Sequence, residues 1–269
     1  MIYKIYKRVG ETSLQALQRI QQIAKIEDEK ITFAGRLDPM ASGVLFGLSG
    51  DDRFLKDALN KLDKRYSLSV LIGVSTDTGD ILGILNESNA FKSGFAKSEF
   101  EAVLDDFVGE INWRYPCFSS KTYEGKQLIW HSLEGACPEK RPRYRGAIHS
   151  IKFKDIFLLK KKELRERILD DLSKVRPSNA DSKYRDFRIA DVRRSWEKFF
   201  EKMDDSMSFQ IIDLEVLVTH SVYMRTLAEK IGERLGTSAL ALHIERLEFQ
   251  GLRNRVKKPI FDEYFIQHN

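Results

Sequence analysis

IDLEVLVTHSVYMRTLAEKIGERLGTSALALHIERLEF, Ile212 to Phe249, holds the fold in miniature. Ile212, Leu214, Val216 and Val218 recur at every second position, the period of a strand with one buried face. From Tyr223 to Leu235 the period changes. Leu227, Ile231 and Leu235 stack four apart, and Gly236 follows at the position where a helix ends in a left-handed residue. Strand-like alternation returns from Leu240 to Phe249. The spacing therefore predicts strand, helix, strand.

The same signals recur toward the N-terminus. Thr12 to Gln15 forms a capping box, and Leu14, Leu17, Ile20, Ile23 and Ala24 continue at helical spacing to about Ile26. A loop carrying AGRLDPMASG follows, because Pro39 pushes Asp38 away from helical geometry. Val44 to Leu48 reads as a strand, Asp51 to Lys61 as helical and Arg65 to Val74 as a strand. STDTGDILG, Ser75 to Gly83, is a polar turn. A second capping box at Ser98 to Glu101 opens a helix with Phe100, Val103, Leu104 and Phe107 on one face, and Ile148 to Phe157 is strand-like. The sum is an α+β class: a mixed, mostly antiparallel central sheet flanked by helices, not the regular alternation of a doubly wound sheet.

Lys160 to Ser206 is different. It is dense in charge of both signs and poor in strand formers, with helix-like pieces KKKELRERILDDLSKV and RIADVRRSWEKFF. We read it as a charged helical insertion, a hairpin with a mobile middle near Pro177 to Lys183. Residues 1–269 then read as one domain.

Composition bounds the function. The chain carries 42% hydrophobic and 32% charged residues, a net charge of +5 and a pI of about 9.0. No run of about 18 apolar residues is present, so a cytoplasmic protein is expected. Cys117 and Cys137 suggest neither a metal cluster nor a disulfide framework and are read as ordinary thiols. The five histidines are scattered, the glycines lack a phosphate-loop ending, and no metal is expected. Between Lys140 and Lys154, KRPRYRGAIHSIKFK contains no acid. Lys140, Arg141, Arg143 and Arg145 could neutralise phosphates, with Tyr144 and Phe153 against sugars or bases. The alternative is a solvated strand edge guarded by lysines.

Asp38 is the remaining chemistry candidate, and composition alone makes it a turn residue. Several segments taken together say more. YKRVGETS, ITFAGRLDPMASGVLFGLSGDDR, DKRYSLSVLIGVSTDTGDILG, YPCFSSKTYEGKQL, RPRYRGAIHSI and VTHSVYMRTLAEKIGERLGTSALALHIERL resemble, in order, the motifs of the TruB family of tRNA pseudouridine synthases.

That resemblance implies a pseudouridine synthase fold and an isomerase that cuts a uridine from its sugar, rotates it and rejoins it through carbon 5. The target implied is uridine 55 in the T arm of tRNA, with no cofactor, on one catalytic domain without a C-terminal RNA-binding domain; a monomer is expected. Asp38 matches the catalytic aspartate, Arg225 the arginine that pairs with it, and Tyr66 the tyrosine that packs on the base. Phe33, Arg36, Lys121, Tyr223 and Ile244 fall at substrate-binding positions. Phe33 replaces the family's usual histidine, Arg36 stands where small residues are frequent, and Arg8 replaces a proline. The competing reading is an RNA-binding or RNA-folding protein that kept the scaffold and lost catalysis. The joint presence of Asp38, Tyr66 and Arg225 argues against it.

Overall fold

A computed structural model describes residues 1–26, 30–86, 92–177 and 186–252, with the backbone alone for 260–262. In chain order the strands are β1 (Ile2–Lys7), β2 (Ile31–Ala34), β3 (Ala41–Ser49), β4 (Lys64–Ile72), β5 (Gly109–Arg114), β6 (Thr122–Tyr123), β7 (Lys126–Gln127), β8 (Arg143–Lys160), β9 (Ser208–Val218), β10 (Ala239–Phe249) and β11 (Ile260–Asp262). The helices are α1 (Ser13–Ile23), α2 (Lys56–Asn60), α3 (Lys97–Asp105), α4 (Leu128–Leu133), α5 (Lys161–Ser173), α6 (Ile189–Glu201) and α7 (Met224–Arg234). A 3₁₀ turn, Gly50–Leu55, leads into α2.

The main sheet runs β11-β1-β3-β10-β4-β9-β8-β5, with β2 paired to β3. Among the described residues only β1 with β11 and β3 with β10 pair as parallel strands of this sheet; its other strand pairs are antiparallel, as the α+β reading expects. β3 is shared along its length. β10 lies against Ala41–Gly43, and β2 lies against Phe46–Ser49. The loop from Gly35 to Met40 therefore emerges where β2 gives way to β10.

Gly43 makes that seam possible. Its φ is +110°, and a Cβ there would stand 2.2 Å from the Arg246 carbonyl oxygen of β10. Backbone cannot retreat as a flexible side chain can. Gly43→Ala should therefore cost about 3 kcal/mol or more, read by chemical unfolding. An unchanged midpoint would mean that the two strands separate freely.

One sheet face carries Leu68, Val70, Ile72, Ile212, Leu214, Val216 and Val218 against α3 and α7. The other carries Leu71, Phe209, Ile211, Leu240 and Leu242 against Leu164, Ile168 and Leu172 of α5 and Val192, Trp196 and Phe200 of α6. The charged segment thus packs on the second face of the sheet. Its charges occupy the outer faces of two amphipathic helices, while the apolar stripe at i, i+4, i+8 is buried. Residues 178–185, which hold most of the expected mobile middle, lie outside the described residues.

The first capping box forms as expected, with Thr12 Oγ1 accepting from Gln15 N at 3.1 Å and Gln15 Oε1 accepting from Thr12 N at 2.8 Å. The second does not. α3 begins earlier, and the Glu99 carboxylate accepts from Ala96 N at 2.7 Å, so the acid two residues before Glu101 sets the start.

Candidate active site

Arg225 sits in the first turn of α7, 5% exposed. A cation at a helix N-terminus opposes the helix dipole, so its partners must come from elsewhere. Nε donates to Asp38 Oδ2 at 2.8 Å, Nη1 to the Thr78 carbonyl at 2.5 Å and Nη2 to the Phe118 carbonyl at 3.1 Å. Asp80 Oδ2 stands 3.9 Å from Nε. Burial pulls the Arg225 pKa down, but the charges of Asp38, Asp80 and Glu229 outweigh it and the net direction is up. The guanidinium is fixed in charge and in plane.

Asp38 is held differently. Its side chain is 44% exposed, whereas Arg225 and Asp80 are buried. The loop around it is pinned on both sides by buried cations. Lys7 Nζ donates to the carbonyls of Arg8 (2.9 Å), Pro39 (3.1 Å) and Ala41 (2.5 Å). Arg246 donates to the carbonyls of Val44 (2.7 Å), Arg36 (3.4 Å) and Gly35. At the centre, Ser13 Oγ accepts from Leu37 N at 3.0 Å, tying the loop to the start of α1. Burial lowers the Lys7 ammonium to about 7, with Asp38 acting in the opposite direction.

Asp80 is buried, and Thr78 Oγ1 (2.7 Å) and Leu82 N (3.0 Å) donate to its Oδ1. Burial raises its pKa, with Arg225 opposing. Glu229, one turn beyond Arg225, is pushed up to about 7 by burial, again opposed by Arg225. The sign of its effect on stability follows. The folded state keeps the proton up to about 7, whereas the unfolded chain releases it near 4.5, so stability should fall as pH rises through that window. Glu229→Gln should flatten this part of the profile, read by urea unfolding at several pH values. An unchanged slope would remove Glu229 as its source.

Tyr66 of β4 pairs with Arg246 across the ladder, and its phenol acts on that guanidinium. It is buried in the cluster that holds Leu37, Ala41 and Ile244. Ile244 reaches this face through a β-bulge between Ala241 and His243. Unbroken alternation would have placed it with Leu240 and Leu242 on the opposite face. Tyr223 packs beside this cluster, 6.0 Å from the Tyr115 ring and 5.3 Å from Tyr144, and its phenol is pushed up to about 12 by burial and neighbouring groups.

Other expected residues lie farther out. Phe33 packs at the edge of the α1 cluster with Lys56 over its ring at 5.7 Å. Arg36 is exposed two residues before Asp38, and Lys121 is exposed with its Nζ 5.3 Å from the Tyr115 ring centroid.

The basic strip needs correction in part. Lys140, Arg143 and Arg145 are exposed, and Arg143 also bonds Asn112 of β5 (3.0 Å). Arg141 is turned inward, its Nε donating to the Tyr115 carbonyl at 2.6 Å. Tyr144 is buried among Trp113, Tyr115 and Tyr223, and Phe153 packs on Phe100. The β8 register turns both rings toward the core and leaves the alternate cations outside.

Cys117 and Cys137, expected as thiols, form a disulfide with Cα atoms 5.6 Å apart. Pairing of β5 with β8 continues as Tyr115 N donating to the Pro142 carbonyl, which brings the two flanking loops together. Such bonds persist in oxidising surroundings, a point that the expectation of a cytoplasmic protein did not include. No helix among the described residues is long and apolar enough to cross a membrane. Among those residues no group of three His, Cys, Asp or Glu could hold a metal ion.

Lys7, Asp80, Glu229 and Arg246 were missed from sequence. Two had a signal. Glu229 lies four residues after Arg225, a helix-pair spacing, and Lys7 continues the buried parity of Tyr3 and Ile5 along β1. Two cavities, about 550 and 700 Å³, lie elsewhere and are not lined by Asp38.

Known proteins resemble this chain in sequence and in fold. "tRNA pseudouridine synthase B" of Methylobacillus flagellatus is 29% identical over 90% of this chain and 61% of its own length. Its namesake from Endomicrobium trichonymphae is 33% identical over 51% of this chain and 58% of its own length. The chain thus spans about three fifths of these two relatives. Among solved structures, a Cbf5-Nop10-Gar1 complex matches 98% of this chain and 52% of the compared chain, with a TM-score of 0.55 at 16% identity. An archaeal box H/ACA sRNP Nop10-Cbf5 complex gives a TM-score of 0.52 at 15% identity, over 98% of this chain and 52% of the compared chain. These two carry the fold alone. A family model described as TruB family pseudouridylate synthase (N terminal domain) matches residues 21–167, more than half of the chain, and this protein belongs to that family.

Proposed function

We propose that the chain isomerises uridine to pseudouridine in tRNA, at uridine 55 of the T loop, with Asp38 as the reacting carboxylate. The observation that carries this reading is the 2.8 Å contact of the buried Arg225 with the half-exposed Asp38 in a chain of this family. A carboxylate with one oxygen held and its side chain partly open is placed to act as nucleophile or base.

The reaction is balanced without a second substrate. The bond from N1 to the sugar breaks, a bond from C5 to the sugar forms, and the hydrogen lost from C5 is matched by one gained at N1. A cofactor has nothing to supply. The uridine leaves its stack at a cost of a few kcal/mol, and Tyr66 with Ile244 and Tyr223 offers the flat and apolar wall that offsets part of it. Arg36 and Lys121 reach toward phosphates near the flipped base. Lys140, Arg143 and Arg145 lie along the backbone farther away, and Arg145 also lines the 700 Å³ groove with Asn112, Thr219 and Ser221. Arg141 supports the strip from within.

The test is incubation of purified protein with tRNA and with tRNA carrying cytidine at position 55, followed by mapping of pseudouridine. One new pseudouridine at position 55, absent from the second RNA, is expected. Modification elsewhere would overturn the site assignment, and no modification of any tRNA would overturn the function.

A further inference from the structure

The charged insertion reaches the back of the Arg225 mount, and a single side chain spans the two segments that form it. Arg188 immediately precedes α6 and is only 17% exposed. It has φ +56°, next to Phe187 at +57°, two consecutive non-glycine residues in the left-handed region. That backbone is costly and persists only where surrounding contacts hold it. The contacts are specific. Arg188 Nη1 and Nη2 donate to the two carboxylate oxygens of Asp77 at 2.8 and 3.3 Å. Its guanidinium carbon stands 4.6 Å from the centroid of the Phe118 ring.

Asp77 is the residue before Thr78, and the Thr78 and Phe118 carbonyls are the backbone acceptors of Arg225. Helix α6 grips the same turn twice more. Trp196 Nε1 donates to the Ile81 carbonyl at 2.9 Å, and Ser195 Oγ accepts from Leu85 N at 3.0 Å. Asp80, the second acid beside Arg225, lies between these anchor points.

We propose that Arg188 is a positioning residue: by clamping Asp77 and Phe118 together it sets the two carbonyls that orient Arg225, and through Arg225 it sets Asp38. The insertion is thereby part of the active-site scaffold. This inference rests on the proposed uridine isomerisation for its kinetic readout, and a second readout is independent of it. A misplacement of reacting groups by about 1 Å costs up to about a hundredfold in rate. Arg188→Ala should therefore slow single-turnover pseudouridine formation about tenfold to a hundredfold at saturating protein, with RNA affinity unchanged. Arg188→Lys, which keeps the charge and loses the two-pronged contact, should recover part of the rate. Arg194→Ala, on the exposed face of α6 where Arg194 pairs with Asp191, serves as the control and should match wild type.

The second readout is the Arg225 Nε–H resonance in ¹⁵N-labelled protein without RNA, assigned by its loss in Arg225→Lys. It should shift or broaden in Arg188→Ala and remain nearer its wild-type position in Arg188→Lys. An Arg188→Ala protein with wild-type rate and an unmoved resonance overturns the proposal. A loss confined to RNA affinity also overturns it, by making Arg188 an RNA contact. If Arg188→Ala does not fold, the lysine variant decides: wild-type rate and resonance there reject the need for the two-pronged clamp. Inactive wild-type protein would reject the proposed function, and the resonance would then decide the role of Arg188 alone.

Discussion

Asp38→Asn is expected to reduce pseudouridine formation at least about a thousandfold while leaving tRNA affinity within about twofold. The substitution is isosteric, and the asparagine oxygen still accepts from Arg225 Nε. Arg225 also keeps Thr78, Phe118 and Asp80 as partners, so the mount survives. The loop keeps its ties to Lys7, Ser13 and Arg246, none of which uses the Asp38 carboxylate. Only the charge and the nucleophilic or basic oxygen are removed. The loss should therefore fall on the chemical step, measured by single-turnover release of tritium from C5 of labelled uridine in tRNA. Undiminished release would take Asp38 out of the mechanism. A parallel collapse of affinity would return it to its first reading as a turn residue.

Arg225→Met should produce the largest loss of stability. Removing one partner of a buried ionic cluster leaves the others uncompensated, at a cost of about 3–5 kcal/mol. Here the stranded groups are Asp80, buried within its turn, and Glu229, which Arg225 restrains against the upward pull of burial. For a chain of this size that corresponds to a midpoint drop on the order of 10 °C. The deficit should shrink toward pH 5, where the stranded carboxylates take up protons and no longer bury charge. Differential scanning calorimetry of both proteins at pH 5 and pH 8 checks this. An equal deficit at both pH values would show that packing, and not charge, is what Arg225 contributes. Activity should be lost at either pH because Asp38 has no orienting partner. Arg225→Lys should retain more stability than activity, since an ammonium keeps the charge but not three planar, simultaneous contacts.

The asymmetry between Asp38 and its surroundings is the central property of the site. Arg225, Asp80, Lys7 and Arg246 are all buried, whereas Asp38 keeps 44% of its side-chain surface. Each buried cation donates to two or three carbonyls, which satisfies its protons and fixes the backbone at once. In the proposed reaction, an open carboxylate on a loop held by these contacts would need little rearrangement to meet a base.

Much of this was legible in the order of residues. Periodicity located most of the large elements, because period 2 and period 3.6 follow from local backbone geometry. β1, β2 and β5 were left unassigned, and the short β6–β7 hairpin and α4 carry too few residues for a pattern. Asp38, Tyr66 and Arg225 were reached through motif resemblance, not through spacing, since 187 residues separate the two members of the central ion pair.

What the sequence by itself determined is therefore the local grammar: the Thr12 cap, the end of α7 at Gly236, the strand–helix–strand order, and a loop in which Pro39 keeps Asp38 out of a helix. Tertiary structure alone decided the rest. The bulge in β10 turned Ile244 and Arg246 toward Tyr66, the β5–β8 pairing joined Cys117 to Cys137 and turned Tyr144 inward, and α6 carried Arg188 to Asp77 and Phe118. The physical reason is the same in each case. A cap or a turn is satisfied by neighbours a few residues away, whereas a buried charge finds its partners only where distant segments meet.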